Sequence, residues 1–240
     1  MQEIRESFTL ALGLISSLDV DLAEIVGLSL RVSLSAVLIA LTLGLPLGAA
    51  LGMGRFRGRQ SLIVFSNALM GLPPVVVGLL VYLVLSRSGP LGVLGLLYTP
   101  TAMIIAQTVL ITPIVVALTR EVIEQLNREY GEYLASLAVR PIGRVQTLLW
   151  DARYSLLTVG LAGFGRAVAE VGAVIVVGGN IDHLTRVMTT AIALETSKGD
   201  LALALALGIV LMILALGINA AVMMVRAAEP RPLPRPAHST

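Results

Sequence analysis

Cysteine is absent from this chain. That excludes a disulfide framework, a thiolate metal site and a thiol nucleophile. Histidine occurs only as His183 and His238. With no H-E-x-x-H pattern, a zinc site is not expected. Lysine occurs once, as Lys198 in ETSKGD, without the glycine-rich run that a phosphate loop needs. If the chain takes part in active transport, the nucleotide is hydrolysed elsewhere. No serine sits in a nucleophile motif, so no catalytic constellation stands out. Charge is scarce too, at 13% of residues, against about 25% in soluble domains. The basic residues are dispersed, which argues against a nucleic-acid surface. The apolar run 7–18 is followed by no small-residue cleavage site, so a cleaved signal peptide is not expected.

What remains is oil. The 240 residues are 56% hydrophobic, with mean hydropathy +0.90. Crossing the hydrocarbon core takes about 20 apolar residues in a helix. Five stretches reach that length: 25–53, 61–86, 100–119, 154–178 and 201–225. The run 7–18 is too short for a full span. It reads as an interfacial segment, with a sixth, short span as the alternative. The expected architecture is all-α and polytopic, with about five transmembrane helices. Residues 1–24 form an amino-terminal interfacial segment, 25–225 the transmembrane domain, and 226–240 a disordered, proline-rich tail.

Positive charge orients the bundle. GRFRGR after the first span, the loop between the third and fourth spans, and the tail together hold eleven basic residues. The opposite side holds four: Arg5, Arg87, Arg186 and Lys198. Positive residues stay inside, which predicts an outside amino terminus and a cytoplasmic carboxyl terminus.

Within the spans, Gly44, Gly48 and Gly52 fall every fourth residue and clear one helix face for close contact. Pro46 lies in the same stretch. Pro73 and Pro74 interrupt the second span and Pro113 the third, because proline lacks an amide proton and crowds the carbonyl four residues back. With Asn67 and Gln107 nearby, two readings stand: a polar path through the bundle, or kinks that serve packing. Arg166 and Glu170, four residues apart, share a helix face. They either face a permeation path or pair to lock helices together.

The long loop GEYLASLAVRPIGRVQTLLWDARYSLL, residues 131–157, has mixed charge and an apolar stripe. Residues 120–138 read as a helix and residues 140–143 as a break, with helix resuming from Arg144 into the fourth span. Leu134, Leu137 and Ala138 are apolar neighbours beside Arg128, Glu129 and Glu132. Such an element docks into a groove on another protein or lies on the membrane.

The loop resembles the cytoplasmic loop of ABC importer permeases, E-A-A, three residues, G, nine residues, I-x-L-P. Glu132 matches the glutamate, Tyr133 and Leu134 stand for the alanines and Ala138 for the glycine. Leu148, Trp150 and Asp151 replace I, L and P. LPPVVVGLLVYLVLSRSGPLG, residues 72–92, is similar to molybdate-type permeases. GRAVAEVGAVIVVGGNI, residues 165–181, and TRVMTTAIALETSKGD, residues 185–200, resemble tungstate-type permeases. The resemblance covers roughly residues 25–225.

It implies a type I ABC importer permease fold and the permease subunit of a tungstate importer, with molybdate or sulfate as alternatives. It also implies a homodimer with a second permease copy, two cytoplasmic ATP-binding subunits and an extracytoplasmic oxyanion-binding protein. ATP and Mg would sit on the ATPase, with no cofactor in this chain. The coupling residues would be Glu132, Tyr133, Leu134, Ala138, Arg140 and Gly143. The path residues would be Arg166, Glu170, Asn67, Gln107, Asn180 and Thr185, with Thr189 and Thr190 as further donors. A secondary transporter or channel would need internal repeats, and none is evident. A membrane enzyme would need a nucleophile and a base. A scaffold would not need an intramembrane Arg and Glu.

Overall fold

The computed structural model describes residues 2–17, 19–54, 56–137 and 140–227. Among them are ten α-helices, one 3-10 turn at Gly92–Leu94 and no strand, in keeping with the all-α expectation. The helices α2 (Val20–Met53), α5 (Pro100–Ser136) and α10 (Leu201–Ala227) run unbroken and are apolar enough to cross a membrane. At 1.5 Å per residue they measure about 51, 56 and 40 Å, against about 30 Å of hydrocarbon.

Two shorter pairs are bent. α3 (Arg59–Met70) meets α4 (Pro74–Leu85) at 101°, and α7 (Arg153–Val168) meets α8 (Gly172–Gly178) at 58°. If each bent pair is one span, the total is five. The remaining helices are α1 (Gln2–Ser16), α6 (Pro141–Asp151) and α9 (Met188–Lys198).

The glycine stripe sets the centre of the bundle. A Cβ at Gly44 would lie 2.6 Å from Val115 Cγ1, at Gly48 2.6 Å from Thr119 Cβ, and at Gly52 3.1 Å from Ile123 Cβ. The Thr108 hydroxyl donates to the Ala36 carbonyl. The partner numbers rise together along both helices, so α2 and α5 run parallel in close contact. Two parallel helices need a crossing return between them, and α3 and α4 supply it.

The prolines act unequally. A residue before proline is pushed out of the helical region. Leu72 and Pro73 both precede a proline, so two consecutive positions leave the helix, and Pro73 is extended at φ −62°, ψ 126°. Pro74 then opens α4, where a missing N–H costs nothing. Pro113, expected to interrupt the third span, does not: α5 passes through it, as α2 passes through Pro46. The long contact between these two helices holds both straight.

Four helix ends differ from the expected ones. α2 starts at Val20, inside the 1–24 segment, with the Asp19 carboxylate accepting the Leu22 N–H at 3.1 Å. α10 continues to Ala227; the tail from 228 lies outside the described residues. The expected break at 140–143 lies earlier. α5 ends at Ser136 and Pro141 opens α6, so Gly143 is helical. α6 ends at Asp151 instead of running into the fourth span. The short α1 packs along α10, with Ala11 buried in the cluster that holds Ala206 and Leu207.

Candidate functional site

One end of the bundle is a helical hairpin. α5 outruns the apolar stretch that ends at Thr119, and its polar last turns carry α6 back alongside it. Leu134 is buried with Ala49, Ile123, Leu148 and Ala152. The Arg144 guanidinium donates to the Gly131 carbonyl, closing the hairpin. At its base Glu124 takes three arginines: Arg120 at 2.7 Å, Arg128 at 2.8 Å and Arg59 at 3.3 Å. Arg59 also donates to the Leu51 carbonyl at 2.8 Å, so α2, α3 and α5 are tied at one point.

The outer face of the hairpin is apolar without being covered. Tyr133 is 65% exposed, Leu137 56% and Trp150 73%. Tyr130, Tyr133 and Leu137 fall at helical spacing on one face. Arg153 lies over the Trp150 and Tyr154 rings, 5.3 and 4.7 Å from their centroids. Glu132, Ser136 and Arg140 are exposed beside these residues. A small tip of aromatic, aliphatic and charged groups suits a protein groove better than water.

A second constellation sits where α7 breaks. Arg166 donates to the Glu170 carboxylate across one helical turn. The other carboxylate oxygen accepts the Ala173 N–H at 3.2 Å, in the first turn of α8. Thr189 of α9 donates to the Glu170 carbonyl at 2.8 Å, and Gln107 of α5 donates to the Ala167 carbonyl at 3.1 Å. In lipid every freed backbone group needs a partner, and here Gln107 of α5, Thr189 of α9 and the Glu170 carboxylate at the break itself supply them. Glu170 is 4% exposed, whereas the Arg166 side chain is 40% exposed. α8 then locks onto α4: a Cβ at Gly78 would lie 2.8 Å from Ala173 Cα.

The sequence matches the family described as binding-protein-dependent transport system inner membrane component over residues 44–231, well over half of the chain. The chain belongs to that family. It is an inner-membrane, multi-pass transport component and not an enzyme. It is 40% identical over 200 residues to the tungstate uptake system permease protein TupB of Peptoclostridium acidaminophilum, covering 83% of this chain and 88% of that one. It is 40% identical over 185 residues to a probable anion ABC transporter permease protein of Haloferax volcanii, covering 75% and 80%. A TupB of Campylobacter jejuni is 40% identical over 147 residues, and there the match spans 61% of this chain and 62% of that relative's length.

In this permease component the residues expected at the loop divide. Glu132, Tyr133 and Arg140 are exposed and Gly143 is half-buried. Leu134 faces the chain's own core, packed in the same cluster as Leu148. Ala138 lies outside the described residues. Trp150 and Tyr130, which the loop pattern does not single out for this role, join the outer face.

The path residues divide as well. Arg166, Glu170 and Gln107 meet at the α7 break. Asn180 and Thr185 meet elsewhere, in the loop between α8 and α9. Thr185 donates to the Gly178 carbonyl at 2.6 Å and accepts the Ile181 N–H at 2.9 Å. Asn180, at φ +51°, accepts from Thr190 at 2.8 Å. Those polar groups are spent holding the loop. Asn67 is exposed on α3, away from both groups in the hydrogen-bond network.

Proposed function

We propose that this chain is the membrane-spanning permease subunit of an ATP-driven oxyanion importer, with tungstate as the substrate. The observation that carries the substrate is the 40% identity, over 83% of this chain, to a tungstate uptake permease. Molybdate and sulfate permease proteins are more distant, at 28% identity. Two copies form the translocation path, and an extracytoplasmic binding protein delivers the dianion. Two cytoplasmic ATPase subunits hold ATP and Mg. The amino terminus lies outside and the carboxyl terminus in the cytoplasm. The parallel course of α2 and α5 supports this orientation, since each leads from an arginine-poor end into an arginine-rich segment.

The hairpin of α5 and α6 is the coupling element. Its outer face, Tyr133, Leu137 and Trp150 rimmed by Glu132 and Arg140, seats in a groove on the ATPase. ATP-driven approach of the two ATPase subunits moves the two hairpins together and opens the path outward. Arg166 lines that path: a half-exposed guanidinium in an apolar helix faces water or a second chain, not lipid. Asn67, exposed on α3, is placed to do the same. Gln107, Asn180 and Thr185 support the path by holding backbone.

The test is co-expression with the neighbouring ATPase, reconstitution, and ATPase stimulation by binding protein loaded with tungstate, molybdate or sulfate. Stimulation by the tungstate-loaded form first is expected. Preference for another oxyanion removes the substrate assignment, and failure to form any complex removes the coupled importer.

Two variants address the hairpin. Leu137→Asp places a charge in the seat, and co-purification of the ATPase should fall by about tenfold or more, since truncating a buried interface anchor costs about 2 kcal/mol or more. Glu132→Lys, at the rim, should leave the complex assembled but lower stimulated ATPase activity. Membrane insertion should be normal in both. Unchanged assembly in Leu137→Asp would place the ATPase contact elsewhere.

A further inference from the structure

At the end of the bundle opposite α6, three side chains converge from distant parts of the chain. Asp21 and Glu24 stand on the first turns of α2, and His183 on the loop between α8 and α9. One ligand atom from each lies within 4.8 Å of the other two. His183 Nδ1 is 2.8 Å from Glu24 Oε2. On the far side of the ring, Nε2 is 4.0 Å from Asp182 Oδ2, and Asp182 is held by Arg186 at 2.8 Å. A cavity of about 60 Å³ opens between these groups, lined by Asp21, Glu24, Asp182, His183 and Arg186 among others. That is room enough for a water molecule or an ion.

We propose that Asp21, Glu24 and His183 bind a divalent transition-metal ion of the zinc type. The donor set, one imidazole nitrogen and two carboxylates, is one that zinc accepts at about 2.0–2.2 Å. Ligands on one such ion stand about 3.4 Å apart in a tetrahedral arrangement. Asp21 and Glu24 are exposed and free to close the remaining distance. Nδ1 faces the ligands, and on the other side of the ring the Asp182 carboxylate, paired with Arg186, stands 4.0 Å from Nε2. Closing that gap to hydrogen-bond distance would supply the outer-shell carboxylate that fixes tautomer and ring plane in metal-bound histidines. Charge agrees, since three carboxylates, Asp21, Glu24 and Asp182, face the imidazole and one guanidinium. The ion would take the place of the proton shared by His183 and Glu24, and would staple the start of α2 to the α8–α9 loop.

The test is calorimetric titration of the purified full chain in detergent with zinc chloride. Glu24 and Asp182 raise the imidazole pKa, and metal ligands must be deprotonated, so the titration is run at about pH 8. One saturable ion per chain is expected. His183→Ala and Glu24→Gln should abolish it, and Asp182→Asn, which removes the orienting carboxylate, should weaken it roughly 10- to 100-fold. His238→Ala is the control and should bind as the parent does. Absence of saturable binding, or binding that survives His183→Ala, overturns the proposal. The side chains changed are exposed, so the variants fold, and an unchanged unfolding temperature without metal checks that.

Discussion

Replacing Gly48 with leucine is expected to abolish recovery of the folded transmembrane unit. A β-carbon at this position would stand 2.6 Å from Thr119 Cβ and 2.7 Å from the Val116 carbonyl oxygen. The second of these is backbone, which no rotamer change can move. Overpacking costs about 1–3 kcal/mol where side chains can give way. Here α2 has to part from α5 along its length, and the clusters around Ala40, Val115 and Ile123 on either side of Gly48 lose contact together. Gly48→Leu should therefore give aggregated protein in mild detergent, and Gly48→Ala folded protein with a markedly lower unfolding temperature. Gly217 on α10 is the control, because a β-carbon there meets nothing within 4 Å. Gly217→Ala should be neutral or slightly stabilising, by up to about 1 kcal/mol of helix propensity. Size-exclusion profiles and thermal unfolding read both. A Gly48→Leu variant that elutes and unfolds like the parent would remove the stripe from its central role.

That stripe is legible in the order of residues alone, because a repeat of small residues at helical spacing has one physical use in lipid. The tandem prolines are legible for a similar reason: Pro73 and Pro74 exclude helix at two adjacent positions whatever surrounds them. Pro113 carries the same local signal and yields no break, since the packing of α2 along α5 decides the outcome. The α7 break is the reverse case. Residues 169–171 contain no proline and no glycine. The chain leaves the helix there because Glu170, Thr189 and Gln107 satisfy the released backbone groups, and two of those three come from other helices. Leu134 reads as part of an outward stripe because a helix face does not announce whether its partner lies within the chain or beyond it. His183 and Glu24 are 159 positions apart. Only folding brings them together, so a count of histidines gives no hint of the cluster.

Both bent pairs follow one plan. In each, the second half is buried in the core: α4 through Val77, Gly78, Val81 and Leu85, and α8 through Ala173, Val174 and Val177. The two second halves, α4 and α8, pack together through Gly78 against Ala173 and through Gly172 against Val75. A shift of one half-helix is thus transmitted to the other. Gln107 of α5 reaches the same unit, donating to the Ala167 carbonyl of α7 at the joint.

Replacing Arg166 with methionine should destabilise this joint more than any other single change of charge. It leaves Glu170 buried without its cation, and breaking a buried ion pair from one side costs about 3–5 kcal/mol. The half-exposed position of Arg166 places the effect toward the lower figure. Adding Glu170→Gln should restore most of the loss. The amide carbonyl still accepts the Ala173 N–H, and no charge remains to be stranded. Thermal unfolding of the two variants and the parent closes the comparison. An Arg166→Met variant as stable as the parent would show that the pair does not hold the joint. The double variant then separates the two roles of Arg166. If it folds and the reconstituted importer works, Arg166 is structural. If it folds and transport is lost while the ATPase still assembles, the guanidinium serves the passing dianion, and the ion pair keeps the arginine aimed at the path between substrates.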